Sequence, residues 1–214
     1  MTDPILADID ASAGAGERDT QAGFTLSEFL VCALILLVVA SAVFNTLSEI
    51  QRATGYQTEV QSVLYNTRMA MQTIERYIRQ AGNDPLHSGL SGIAIISETE
   101  MRIQSDLTGA AGPGNPDKGD PDGDINDSGE NVTIRYNGIS RSIEIVPDGG
   151  SAQIITGYIA GLTFQYYDGS GAMATAGSDV RKITVTIAGT SLLRDPKTHQ
   201  VFGVKLSSDI SILT

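Results

Sequence analysis

Carboxylates are the side chains whose spacing in this sequence suggests chemistry. Asp117-Lys118-Gly119-Asp120-Pro121-Asp122-Gly123-Asp124-Ile125-Asn126-Asp127-Ser128-Gly129-Glu130 crowds acids and glycines into one short stretch. Calcium takes six to eight oxygen ligands, and Asp and Asn alternating in a glycine-containing loop supply them. Asp120, Asp122 and Asp124 stand at the first, third and fifth positions of such a loop, with Asp127 and Glu130 behind them. The spacing departs from the EF-hand pattern, because the glutamate falls at the eleventh position and Ile125 sits where that pattern has glycine. The stretch therefore reads either as a calcium site or as a solvated turn rich in Asp and Gly. His87 and His199, the only histidines, fall next to turn signals and read as surface-loop residues. No Ser/His/Asp, Cys/His or zinc spacing is present in the sequence. Gly109-Ala110-Ala111-Gly112-Pro113-Gly114 lacks the Lys-Ser/Thr ending of a phosphate loop. The expectation is a protein that is not an enzyme and needs no cofactor, calcium apart.

One further carboxylate is out of place. Glu28 opens a run from Phe29 to Ser48 that contains no charged residue. About 20 apolar residues cross bilayer hydrocarbon as a helix. An unpaired acid within such a span costs about 2.5–3.5 kcal/mol on insertion scales, so Glu28 calls for a partner. The formal charge of −11 disfavours nucleic acid, which needs Lys and Arg against its phosphates. The single cysteine, Cys32, lies inside the span, so no intrachain disulfide exists and the residue reads as a small apolar side chain.

The elements that carry these residues follow from periodicity. Beyond the span, Val60, Val63, Leu64, Thr67, Met71, Ile74 and Ile78 recur at spacings of three and four, with Glu59, Gln61, Arg68, Gln72, Glu75, Arg76 and Arg79 opposite. Ala81-Gly82-Asn83-Asp84-Pro85 is a stop signal, so one helix is expected from Phe24 to Ala81. Its second half is amphipathic and must pack on a domain. Strands are expected at Ile93–Ser97, Met101–Ser105, Asn131–Tyr136, Ser140–Val146, Gln153–Thr156, Leu162–Tyr167, Val180–Ile187 and Val201–Leu213. Asn137-Gly138 signals a hairpin turn, and Arg194-Asp195-Pro196-Lys197-Thr198 the turn before the last strand. The fold class is α+β: a long N-terminal helix laid by its second half on an antiparallel sheet.

Gly23-Phe24-Thr25-Leu26-Ser27-Glu28 followed by the apolar run resembles the signal of type IV prepilins and type II secretion pseudopilins. The resemblance implies that a prepilin peptidase cuts after Gly23 and methylates the new amine of Phe24. It places Glu28 at the fifth mature position, where the family has its glutamate and pairs it with the N-terminal amine of a neighbouring subunit. Ser27 and Phe29 differ mildly from the family's usual Ile/Leu and Leu. The leader differs more: Asp3, Asp8, Asp10, Glu17 and Asp19 face Arg18 alone, where family leaders are basic. Met71-Gln72-Thr73-Ile74-Glu75-Arg76-Tyr77-Ile78-Arg79-Gln80-Ala81-Gly82 and Gly129-Glu130-Asn131-Val132-Thr133-Ile134-Arg135-Tyr136 resemble PilW-type minor pilins and, less closely, J-type minor pseudopilins. The organisation implied is a removed leader at 1–23, a membrane and assembly half of the helix at 24–48, an amphipathic half at 49–82, and a β-rich domain at 83–214 holding the acidic loop 106–130. The implied protein is a minor type IV pilin that primes or tips a pilus, anchored once in the cytoplasmic membrane with its C-terminal domain outside. Its implied partners are the prepilin peptidase, other minor and major pilins, and the assembly platform. A J-type minor pseudopilin of type II secretion shares these features, and a membrane-anchored calcium-dependent adhesin is the remaining reading.

Overall fold

A computed structural model of the chain describes residues 25–109, 119–127 and 129–212. The leader, Gly23 and Phe24 lie outside the described residues. The chain divides into two units, Met1–Ser48 and Glu49–Thr214.

Helix α1 runs from Leu26 to Gln80, within two residues of the expected bounds. In the first unit it is greasy on every side, and no residue from Leu26 to Ser48 is buried. Leu36, Leu37 and Phe44 are each about 70 % exposed, at 72, 70 and 69 %. This is the one described helix long and apolar enough to cross a membrane. Three hydroxyls in it turn inward on the backbone. Ser41 Oγ donates to the Val38 carbonyl (2.8 Å), Thr46 Oγ1 to Ala42 (3.0 Å) and Ser48 Oγ to Phe44 (2.9 Å). Such back-bonding satisfies hydroxyls that have no other partner in an apolar stretch.

In the second unit α1 buries Val63, Thr67, Ala70, Met71, Ile74 and Ile78. Val60 and Leu64 are half-buried, and Ala70 joins the stripe. Two residues assigned by sequence to the wet face reach the strands instead. Glu59 accepts the backbone N–H groups of Leu192 (2.6 Å) and Leu193 (3.0 Å), and Glu75 accepts the Ser208 hydroxyl (2.5 Å). The helix stops where Gly82 takes φ 74° and gives its N–H to the Gln104 carbonyl (2.9 Å). Gly92, at φ 70°, packs on that glycine so closely that any Cβ would strike the Gly82 backbone.

The strands form two antiparallel sheets, not the single sheet expected. The first has the order β1-β2-β3-β4-β5, with β1 at Ile93–Ser97, β2 at Glu100–Gln104, β3 at Asn131–Asn137, β4 at Ser142–Pro147 and β5 at Gln153–Thr156. The second has the order β6-β7-β8, at Ile159–Tyr167, Lys182–Arg194 and Val201–Ser211. The break comes after β5, where Tyr158 adopts a left-handed φ of 62° and β6 leaves without pairing to β5. Single backbone bonds bridge the two sheets, as from Phe164 N–H to the Glu98 carbonyl (2.7 Å). One core joins helix and sheets, with Ile74 and Ile78 against Met101, Ile134, Phe164, Ile183 and Ile187 among others. Where α1 crosses the second sheet, a Cβ on Gly189 would overlap Thr67 Oγ1 and Val63 Cγ1. Only glycine permits that approach.

Several strand boundaries moved, β6 for instance starting at Ile159 rather than Leu162, and two of the changes have a clear cause. Asn137-Gly138 does not make a two-residue hairpin. Asn137 pairs with Ser142, and the Asn137 side chain accepts the N–H groups of Ile139 (3.0 Å) and Ser140 (3.3 Å), which spreads the turn to Arg141 at φ 50°. Strand β7 continues to Arg194, seven residues past its expected end at Ile187, because β8 pairs with it through Thr190↔Gly203 and, after a bulge, Arg194↔Val201.

Candidate functional site

Glu28 sits in the first turn of α1. Its Oε2 accepts the Thr25 backbone N–H (2.9 Å) and the Thr25 hydroxyl (2.8 Å), while the Glu28 N–H donates to Thr25 Oγ1 (3.3 Å). This is a capping box, in which an N-cap Thr and the Glu three residues on satisfy each other's orphan donors. The Thr-x-x-Glu spacing was present in the sequence as the signal for it. The charge expected to need a partner thus has one in its own chain, one residue from Phe24.

The acidic loop is held from outside as well as within. Asp106, fully buried just after β2, accepts the Gly123 N–H on Oδ2 (3.0 Å). Its backbone is tied to the helix exit: Asp106 N–H donates to the Asn83 carbonyl (2.7 Å) and Asn83 Nδ2 to the Asp106 carbonyl (2.8 Å). Glu130, also buried, spends Oε1 on the N–H groups of Leu107 (2.8 Å) and Thr108 (2.7 Å), and Oε2 on Asp127 N–H (3.3 Å). Asp122 and Asp124 accept the N–H groups of Asp124 (3.1 Å) and Asn126 (2.8 Å). Burial, followed by the charges of Asp122, Glu130, Asp124 and Asp106, pushes the Asp127 carboxyl above the usual carboxylate range.

The structure sets Asp122, Asp124 and Glu130 within electrostatic reach of Asp127 and leaves Asp120 exposed. It adds Asp106, which the sequence did not single out because its role depends on tertiary contact. Among the described residues, no three His, Cys, Asp or Glu side chains stand together as a ready cage for a metal. Asp117 and Ser128 lie outside the described residues.

Residues 18–44 match the family model described as the prokaryotic N-terminal methylation motif. The chain carries a prepilin-type motif. Such a motif marks substrates of the prepilin peptidase, the type IV pilins and pseudopilins, and the apolar helix that follows it agrees with a membrane-anchored protein of that kind. The match spans Gly23, Phe24 and Glu28 and ends inside the apolar run, so it covers none of the strands. No curated protein and no solved structure matches the chain.

Proposed function

We propose that the chain is a minor type IV pilin of the PilW-like kind, cut after Gly23, methylated on Phe24, and built into a pilus as a priming or tip subunit. The observation that carries this reading is the position of Glu28. It lies five residues past the junction, inside a methylation motif, at the head of an apolar helix with no buried side chain in its own unit. The first half of α1 takes its surroundings from lipid before assembly and from other helices afterwards. Pattern likeness along 71–82 and 129–136 supports the minor-pilin branch.

The capping box suggests how Glu28 changes partners. In the lone subunit its carboxylate is held by Thr25, a neutral donor set. In the assembled state it pairs with the Phe24 amine of a neighbouring subunit. A charged donor makes a hydrogen bond roughly twice as strong as a neutral one, and the exchange removes two buried unpaired charges together. The β-rich unit then lies on the extracytoplasmic side.

The test is the N-terminal mass of the chain from its native membrane, with and without the prepilin peptidase. A product starting at methylated Phe24, present only with the peptidase, supports the reading; any other N-terminus overturns it. Glu28→Ala is expected to be cleaved normally and to fail to enter pili. A deletion strain that keeps its pili and loses type II secretion would reassign the protein to the J-type pseudopilins.

A further inference from the structure

The acidic loop contains a charge that no described residue balances. Asp106 is 0 % exposed, and while its Oδ2 takes the Gly123 N–H, its Oδ1 is buried with no partner among the described residues. Asp127 Oδ2 is likewise buried and unpartnered. Asp122, Asp124 and Glu130 bring three more carboxylates within electrostatic reach of Asp127. The described salt bridges, Arg135–Glu144 and Lys182–Asp209, lie elsewhere. A buried carboxylate oxygen without a donor is costly, and the Asp106 charge acts repulsively on Asp127.

We propose that Asp106 Oδ1 and Asp127 Oδ2 bind a divalent cation of the calcium class, with the free oxygens of Asp122 and Asp124 completing one side of the shell. Glu130 is a scaffold, not a ligand, because both its oxygens already hold backbone N–H groups of Leu107, Thr108 and Asp127. The donor set is oxygen alone, which suits hard cations and disfavours zinc or copper. Carboxylates on a loop that is not arranged as an octahedron suit calcium better than magnesium, which demands near-octahedral order. Asp122 and Asp124 move inward on binding, since no three acids among the described residues already form a cage. The ion then clamps the loop onto Asp106, whose backbone is bonded to Asn83 just past the end of α1. Metal occupancy thereby stiffens the helix exit as well as the loop. The site stands on these contacts alone and is independent of the pilin reading.

The experiment uses the full chain in detergent micelles, stripped with chelator and titrated with calcium chloride by calorimetry, with thermal unfolding followed in parallel. One site is expected, together with a rise in melting temperature of about 4 °C at saturating calcium and a smaller rise with magnesium chloride. Asp106→Asn and Asp127→Asn are each expected to weaken calcium binding roughly ten-fold or more, while Asp120→Asn leaves it unchanged. Absence of binding heat at millimolar calcium overturns the proposal, as does a melting shift reproduced by sodium chloride of equal ionic strength. Equal loss in Asp120→Asn and Asp106→Asn overturns the assignment to Asp106. If Asp106→Asn does not fold, the half-buried Asp127→Asn decides alone.

Discussion

The two stretches of α1 obey opposite rules within one continuous helix. From Leu26 to Ser48 nothing is buried and nearly everything is apolar. From Glu49 to Gln80 apolar residues gather mainly on one stripe, where Val63, Ala70, Ile74 and Ile78 are each no more than 1 % exposed, while Ile50, Tyr65 and Met69 stay exposed off it. Backbone propensity does not separate them, since both are helix. The difference lies in where each finds its solvent. The second stretch carries its apolar environment with it, as the face of two sheets. The first has none in its own unit and must be supplied with one, by lipid or by other helices.

Truncating apolar side chains on the two stretches should break them apart most sharply. Ile74→Ala is expected to destabilise the β-rich unit by about 2–5 kcal/mol, through lost transfer energy and a cavity. Leu36→Ala, at a site 72 % exposed, is expected to leave the unfolding of that unit unchanged. Denaturant melts of both variants in the same micelles measure the contrast. If Leu36→Ala cost as much, the first stretch would have a partner inside the chain.

Overpacking the crossing comes next in size. A methyl group on Gly189 meets Thr67 and Val63 head-on, so Gly189→Ala is expected to lose about 1–3 kcal/mol, seen as a lower denaturant midpoint with unchanged cleavage at Gly23. The smallest effect sits on the strands. On β3 and β4, Glu144 accepts Asn137 Nδ2 (2.7 Å) and the Arg135 guanidinium (2.9 Å). These donors, Asn137 first, hold its carboxyl below the ordinary range. A depressed carboxylate lends stability above its unfolded pKa, and that stability is lost as pH falls through the folded value. Asn137→Ala is therefore expected to lower the melting temperature most at neutral pH, with the gap to the parent chain narrowing under acid to the part owed to the turn bonds of Asn137 Oδ1 with Ile139 and Ser140. A gap that held constant from neutral to acid pH would remove Glu144 from the account.

Much of this was legible from residue order. The span, the amphipathic stripe and the glycine stop placed α1 to within two residues, because a period of three to four and an end signal are local properties. The strands were found with approximate ends, and β7 was cut short because Gly189-Thr190-Ser191 reads as a loop when its partner β8 is out of view. The division into two sheets was not legible, since it turns on the left-handed Tyr158 and on which strands meet later. Of the candidate residues, Glu28 stood out, but its bond to Thr25 went unread although the spacing was there. Asp106 carried no local signal: an aspartate after a strand looks like any turn residue until Gly123 and Asn83 are folded against it.

The inward-turned hydroxyls of Ser41, Thr46 and Ser48 have a consequence for motion. With each committed to a carbonyl three or four residues back, the charge-free length from Phe29 to Ser48 offers a neighbouring helix hydrocarbon broken chiefly by the exposed Asn45 amide. Lengthwise slippage of one such helix along another would meet a level energy profile over the stretch before Asn45 and a polar step at its amide. The apolar length therefore has two fixed points against sliding, Glu28 at its head and Asn45 near its foot.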